Sequence, residues 1–211
     1  MTRAMQCFGI LLGLLFLGGS LAKAAGGDAS LLLGRNALAE ERLDDAGVDS
    51  LTDLGALVNL DFQWPVVLAL DLIRGSGDAT RGVAAEFPLA FQTDVDTLDL
   101  HLGARFIFRK TTFWRPYVGA GLAWTTLDVR QVENGSFGPG TEYQTVVVDD
   151  SDSGLGFWLG GGVLYRHDRW QVGADLRYVD TSADLQPEGA DGSLKLDAGG
   201  IHTGFYVGWA W

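Results

Sequence analysis

The chain has 211 residues, with 15 Lys and Arg against 27 Asp and Glu and a formal net charge of −12. Hydrophobic residues make up 47% and charged residues 20%, which excludes a disordered chain, and the acidic balance leaves no surface for a phosphate backbone, so no nucleic-acid partner is expected. The single Cys rules out a disulfide framework, a four-ligand zinc site and an iron–sulfur cluster, while the 30 glycines, about twice the roughly 7% average share, follow no collagen-like period.

Residues 1–25 combine Arg3, an apolar stretch from Phe8 to Gly19 and the small-residue signal Ala22-Lys23-Ala24. This pattern reads as a signal peptide cleaved near Ala24 or Ala25, because the apolar stretch is far shorter than the roughly 20 residues a membrane helix needs. Cys7 precedes the apolar stretch and so makes no lipoprotein site. Residues 26–211 are then the exported domain, and with no later long apolar run they are either soluble or cross a membrane by strands.

From residue 28 onward the dominant period is two, which predicts strands. Residues 29–36 form the weakest candidate, since Leu31, Leu32 and Leu33 blur the alternation. The next are 54–62 (Leu54, Ala56, Val58, Leu60 and Phe62 on one face) and 66–73 (Val66, Leu68, Leu70 and Leu72). Residues 98–108 alternate Leu98, Leu100, Leu102, Ala104, Phe106 and Phe108 with Asp99, His101, Gly103, Arg105 and Ile107. Residues 118–125 set Val118, Ala120, Leu122 and Trp124 against Gly119, Gly121, Ala123 and Thr125. The remaining segments are 155–165, 170–178 and 200–211, the last with Ile201, Thr203, Phe205, Val207, Trp209 and Trp211 on its bulky face. The total is eight strands. Three connections are short (63–65, 109–114 and 166–169), and four are predicted as long polar loops (37–52, 75–95, 132–153 and 184–195). Short turns at one end and long loops at the other fit an all-β, antiparallel, up-and-down transmembrane barrel with periplasmic turns and extracellular loops.

Three features turn the apolar face outward. Glycines crowd the polar face, and the inside of an eight-stranded barrel holds few large side chains. Phe62, Trp64, Phe108, Phe113, Trp114, Tyr165, Trp170, Trp209 and Trp211 gather near the short turns or the C-terminus, and Trp124 and Tyr178 near the opposite strand ends. These make two aromatic belts, with Trp64, Trp114, Trp124, Trp170, Tyr178, Trp209 and Trp211 as the girdle residues. Each segment also supplies about the 9–11 residues needed for a tilted crossing.

The closing GGIHTGFYVGWAW, with Phe205, Val207, Trp209 and Trp211 in alternation, resembles the C-terminal strand that outer-membrane proteins present to the barrel-assembly machinery. Trp211 stands where most such proteins end in Phe. The segments WRPYVGAGLAW and LGGGVLYRHDRWQVGADLRY are similar to strands of small OmpA-like and OmpX-like barrels. The resemblance spans residues 28–211. It implies location in the bacterial outer membrane, contact with lipid and lipopolysaccharide, and handling by periplasmic chaperones and the assembly machinery. No peptidoglycan-binding domain is expected after the barrel, and a monomer is expected.

By parity, Asn59, Asp61, Asp71, Asp99, His101, Arg105, Asp175, Arg177 and His202 point inward. Ions in a narrow lumen must pair, so Arg105 and Arg177 are expected to meet Asp71, Asp99 or Asp175 and close the barrel; a gate opened by protonation of His101 or His202 is the functional alternative. Lipid A-modifying barrels are similar in size and place a His and a Ser near the outer leaflet. Here His167 falls in a periplasmic turn, and no His lies in a long loop, so no catalytic residues and no cofactor are expected. The loops are acidic, with Glu40, Glu41, Asp44, Asp45 and Asp49 in the first and Asp149, Asp150 and Asp152 in the third. DDSDSG lacks the full calcium-loop pattern and reads as a solvated surface. No metal site is assigned there; the alternative to plain solvation is a weak bridging of divalent cations to lipopolysaccharide phosphates. The expected role is structural or surface-interactive. The rival is an OmpW-like passive channel for small hydrophobic solutes, for which Leu57, Val67, Ile73, Ile107, Trp158 and Leu164 would line the lumen.

Overall fold

The computed structural model describes residues 26–40, 43, 46–62, 64–83, 89–108, 113–136, 141–185 and 194–211. The signal-peptide reading of residues 1–25 and the acidic loop residues Glu41, Asp44 and Asp45 lie outside the described residues.

Eight strands close a barrel: β1 (Gly26–Leu38), β2 (Ser50–Asp61), β3 (Val66–Val83), β4 (Leu89–Ile107), β5 (Trp114–Ser136), β6 (Glu142–His167), β7 (Trp170–Asp180) and, after a small hairpin of β8 (Ser182–Leu185) and β9 (Leu194–Asp197), β10 (Gly200–Ala210). The ring runs β1-β10-β7-β6-β5-β4-β3-β2 with every neighbour antiparallel. A path of paired residues leaves Leu38, passes through Gly200, Val179, Trp158, Gly121, Gly103, Ala69 and Asn59, and returns to β1 at Asp28, ten residues lower. For eight strands that stagger sets a tilt of about 40–45°. A horizontal slice therefore gathers side chains that are not direct strand partners.

The outward face is apolar. Leu31, Leu33, Leu54, Leu122, Leu159 and Leu176 are exposed, as are Leu155 at 74% and Phe205 at 76%. A sheet that turns leucines outward along every strand has hydrocarbon as its solvent, since only a closed barrel or a helix satisfies its backbone there. In the Leu31-Leu32-Leu33 run the outer two are exposed and Leu32 is buried, so the strict alternation persists through the run. Trp64, Trp114, Trp124, Trp170, Tyr178, Trp209 and Trp211, expected from the sequence to form the girdles, are all exposed. On the periplasmic side Trp170 meets Trp209 edge-on at 4.9 Å, and Trp114 meets Tyr165 at 5.3 Å.

Two of the predicted loops are largely strand. The intervals 75–95 and 132–153 carry the upper ends of β3, β4, β5 and β6, which pair as far as Val83 with Leu89 and Ser136 with Glu142. Their alternation runs with the opposite chemistry. Below a boundary near Leu72, Leu98, Trp124 and Leu155 the outward residues are apolar. Above it they are Arg74, Asp96, Asp128 and Arg130, while Val95, Leu127 and Val129 turn inward. The strands have left the membrane, and water replaces lipid outside them. Leu51, Val95, Leu127 and Val129 pack there with Leu43, Val48, Ala183, Leu196 and Ala198 into an apolar cap beneath the β8–β9 hairpin.

Inside, Trp158 is 2% exposed, and glycines make its room. A Cβ at Gly103 or Gly121 would lie 2.7 Å from the Trp158 ring, and one at Gly119 would lie 2.9 Å from it. Gly121→Ala should therefore lower the stability of the refolded barrel by about 1–3 kcal/mol, read from urea unfolding in lipid vesicles, while Ala120→Leu on the lipid-facing side leaves it nearly unchanged.

Candidate functional site

The polar side chains of the lumen form three tiers. In the lowest, near the periplasm, Asp28 of β1 is the hub. It accepts from Asn59 Nδ2 at 2.7 Å and from Gln171 Nε2 at 2.8 Å, and it pairs with Arg166 Nη2 at 2.8 Å. Gln171 also donates to Ser30 Oγ at 2.8 Å. One carboxylate thus ties β1, β2, β6 and β7 together.

The middle tier is ionic and aromatic. Asp71 Oδ2 accepts from Arg105 Nη2 at 2.5 Å and forms an ion pair with Arg177 Nη1, 2.9 Å away. Arg177 Nη2 reaches Asp175 Oδ1 at 3.2 Å, and Tyr117 donates to Asp175 Oδ2 at 2.6 Å. Arg105 Nη1 continues downward to Asn59 Oδ1 at 2.6 Å. Both guanidiniums lie over the Trp158 ring, at 5.6 Å for Arg105 and 4.9 Å for Arg177. Two guanidiniums and two carboxylates balance in charge, and the indole face adds a cation–π contact that a desolvated Arg gains most from. Arg105, Arg177 and Asp71 are each nearly inaccessible, so none of these charges is stable alone.

The upper tier holds His101, Asp53, His202, Asp99 and Thr125. Arg177 Nη1 donates to His101 Nδ1 at 2.5 Å; a guanidinium cannot accept, so the His101 proton sits on Nε2. His202 Nδ1 meets Asp53 Oδ2 at 2.8 Å, joining β10 to β2 across β1. Thr125 donates to Asp99 Oδ1 at 2.5 Å and accepts from Thr181 at 3.1 Å.

Of the inward residues read from the sequence, Asp71, Arg105, Asp175 and Arg177 come together with His101 against them, and Asp99 and His202 belong to the tier above. Asp99 meets Thr125 rather than either arginine, and Asp61 lies half-buried at the last residue of β2, opposite Gly26, rather than in the central tier. Asp28 and Asp53 escaped the sequence reading because β1 and β2 begin earlier than their apolar alternation shows. Parity extended by one residue reaches both. Trp158, which the rival channel reading sets along an apolar passage, is instead the surface over which both arginines lie. Leu57, Ile73 and Leu164 do point inward, packed with Leu32, Tyr117 and Tyr206 and flanked by Ile107.

Asp71→Asn leaves two buried guanidiniums sharing one remaining carboxylate and should cost about 3–5 kcal/mol. Removal of the exposed pair Arg74–Asp96, 3.1 Å apart, should cost at most about 1 kcal/mol. Equilibrium urea unfolding of the two variants in the same vesicles compares them directly.

No curated protein matches the sequence. Among solved structures, Ail of Yersinia pestis aligns over 89% of this chain and 99% of its own, with 12% identity and a TM-score of 0.49. CarO of Acinetobacter baumannii aligns over 88% and 97%, with 16% identity and a TM-score of 0.46. The N-terminal barrel of Pseudomonas aeruginosa OprF aligns over 88% and 97%, with 15% identity and a TM-score of 0.42. The sequence profile of the outer membrane protein beta-barrel domain matches residues 9–207, and with a closed ring of eight lipid-facing strands around a charged interior the chain belongs to that family of bacterial outer-membrane proteins.

Proposed function

We propose that the protein is a closed, non-catalytic barrel whose working surface is the part that rises above the outer leaflet. The observation that carries this reading is the filled lumen. Three polar tiers, the Trp158 plate and the apolar cap follow one another along the axis, and the inward aliphatic residues pack on each other. That arrangement supports a structural wall over a passage for hydrophobic solutes. Both inward histidines are engaged, His101 by Arg177 and His202 by Asp53, so neither is placed to activate a serine at the outer leaflet. The girdle residues would seat the barrel among lipid and lipopolysaccharide, and the alternating Phe205, Val207, Trp209 and Trp211 would serve as its assembly signal.

The extracellular rise of β3, β4, β5 and β6 forms a sheet with an edge. Above Phe157, β6 is bonded to β5 but not to β7. Val146 and Val147 are exposed there, beside a bulge opposite Gln131 and Val132. An exposed β-rich edge can take up an extended partner segment by main-chain pairing.

Two measurements test the reading. In planar bilayers the purified barrel should be electrically silent at neutral pH; steady unitary steps, or uptake of a sparingly soluble hydrocarbon that depends on the protein, would overturn it. Cells displaying the barrel should adhere to a protein-coated surface more than cells without it, and Val147→Pro should remove that gain while leaving the folded barrel intact. Equal adhesion with and without the barrel would count against the surface role.

A further inference from the structure

The upper half of β6 is paired on one side only. From Glu142 to Asp152 it is bonded to β5, while β7 joins it from Phe157 downward and the β8–β9 hairpin forms a separate sheet. Among the described residues, then, no strand lies beyond this edge, and its outer row of amide and carbonyl groups is a template for one more. Which strand it accepts is decided by the side chains along it.

Those side chains are acidic. No Lys or Arg occurs between Arg130 and Arg166, whereas Glu133, Glu142, Asp149, Asp150 and Asp152 all fall in that stretch. The register sorts the three aspartates by face. Asp149 stands opposite Arg130, on the water-facing side, and Asp150 and Asp152 stand opposite Val129 and Leu127, on the side of the apolar cap. Toward the tip come the exposed Val146 and Val147, the latter being the extra residue of the bulge. Behind the edge, on the outer sheet face, Asp128 lies directly opposite Asp96, and Asp94 opposite Asp78. Arg130, set between Asp94 and Asp149, and Arg74, paired with Asp96, offset part of this charge.

Side chains directly opposite on paired strands are about 5 Å apart, close enough for opposite charges to attract and like charges to repel. A second copy of this edge would therefore set carboxylate against carboxylate, Asp152 facing Asp149 or Glu142 in an antiparallel pair and each aspartate facing its own copy in a parallel one. The carboxylates and the bulge also discourage uncharged strands. A basic strand fits, and it needs charge at consecutive positions, because Asp149 and Asp150 point to opposite faces. We propose that the open edge of β6 receives an extended cationic segment of another protein, with consecutive lysines or arginines against Asp149, Asp150 and Asp152 and apolar residues against Val146 and Val147. The proposal rests on the surface role given above and names the chemistry of its partner.

The test uses the full barrel in nonionic micelles and a fluorescent peptide as long as the open edge, with valines and threonines in one half and consecutive lysines in the other. A control peptide carries glutamates in place of the lysines. The lysine peptide should bind, weaken as salt is raised, and give the infrared shift of a paired strand from a carbon-13 carbonyl label, while the glutamate peptide stays free. Asp149→Asn, Asp150→Asn and Asp152→Asn together should weaken binding about tenfold, since three exposed pairs are lost. Asp149→Lys, Asp150→Lys and Asp152→Lys together should transfer the preference to the glutamate peptide. Both sets change exposed residues, and retained heat-modifiable mobility confirms their fold. Equal binding of the two peptides would keep the edge and overturn the cationic partner. Binding without the strand signature would reduce it to attraction by the acidic face and overturn the pairing, and self-association of the barrel through this edge would overturn it in favour of a second copy. Binding of neither peptide, with adhesion still lost in Val147→Pro, would overturn this proposal and leave the surface role standing.

Discussion

The pairing of Arg105 and Arg177 with Asp71 inside a lipid-wrapped tube is the interaction on which the rest of the architecture depends. Hydrocarbon on the outside forbids charge there, so the ionised groups of each strand have only the lumen to occupy. Water can reach that lumen poorly, so each charge must find its opposite within it. The glycines follow from the same constraint. Gly103, Gly119 and Gly121 clear the volume in which Trp158 lies under the two guanidiniums. A barrel of this width holds one large side chain per level only where the opposing positions are empty.

Leaving the membrane reverses the chemistry without reversing the geometry. Along β5, Tyr117, Ala123, Thr125, Leu127 and Val129 all face inward, yet the outward residues change from Val118, Leu122 and Trp124 to Asp128 and Arg130. One continuous strand is thus a membrane strand in its lower half and a soluble-sandwich strand in its upper half. The upper half buries an aliphatic cap where the lower half buries ions. The cap separates the arginine tier from the outside solution, which strengthens the electrostatics beneath it.

The same reversal explains what the sequence could and could not show. Inward and outward faces were legible wherever the outside is lipid, because parity and a run such as Leu98, Leu100 and Leu102 suffice. The upper halves of β3 to β6 look like loops in the sequence because Ser76, Asp78, Asp94 and Asp149 resemble solvated turn residues, and outside the membrane that is what a strand's water-facing side carries. The composition of the central cluster was legible from parity; the choice of partners was not. It depends on the stagger, which brings Arg105 of β4 beside Asp71 of β3 and Arg177 of β7 and leaves Asp99 to Thr125. That shift is set by the sum of all the turn and strand lengths, and no single segment encodes it.

Spin labels placed singly from residue 117 to 130 along β5, in the barrel reconstituted into vesicles, test the central claim most directly. Collisions with lipid-soluble oxygen should be high at 118, 120, 122 and 124 and low at the intervening positions. Collisions with a water-soluble nickel complex should take over at 126, 128 and 130 with the same period of two. Low oxygen accessibility at 118, 122 and 124, with those side chains packed away from lipid, would contradict the account.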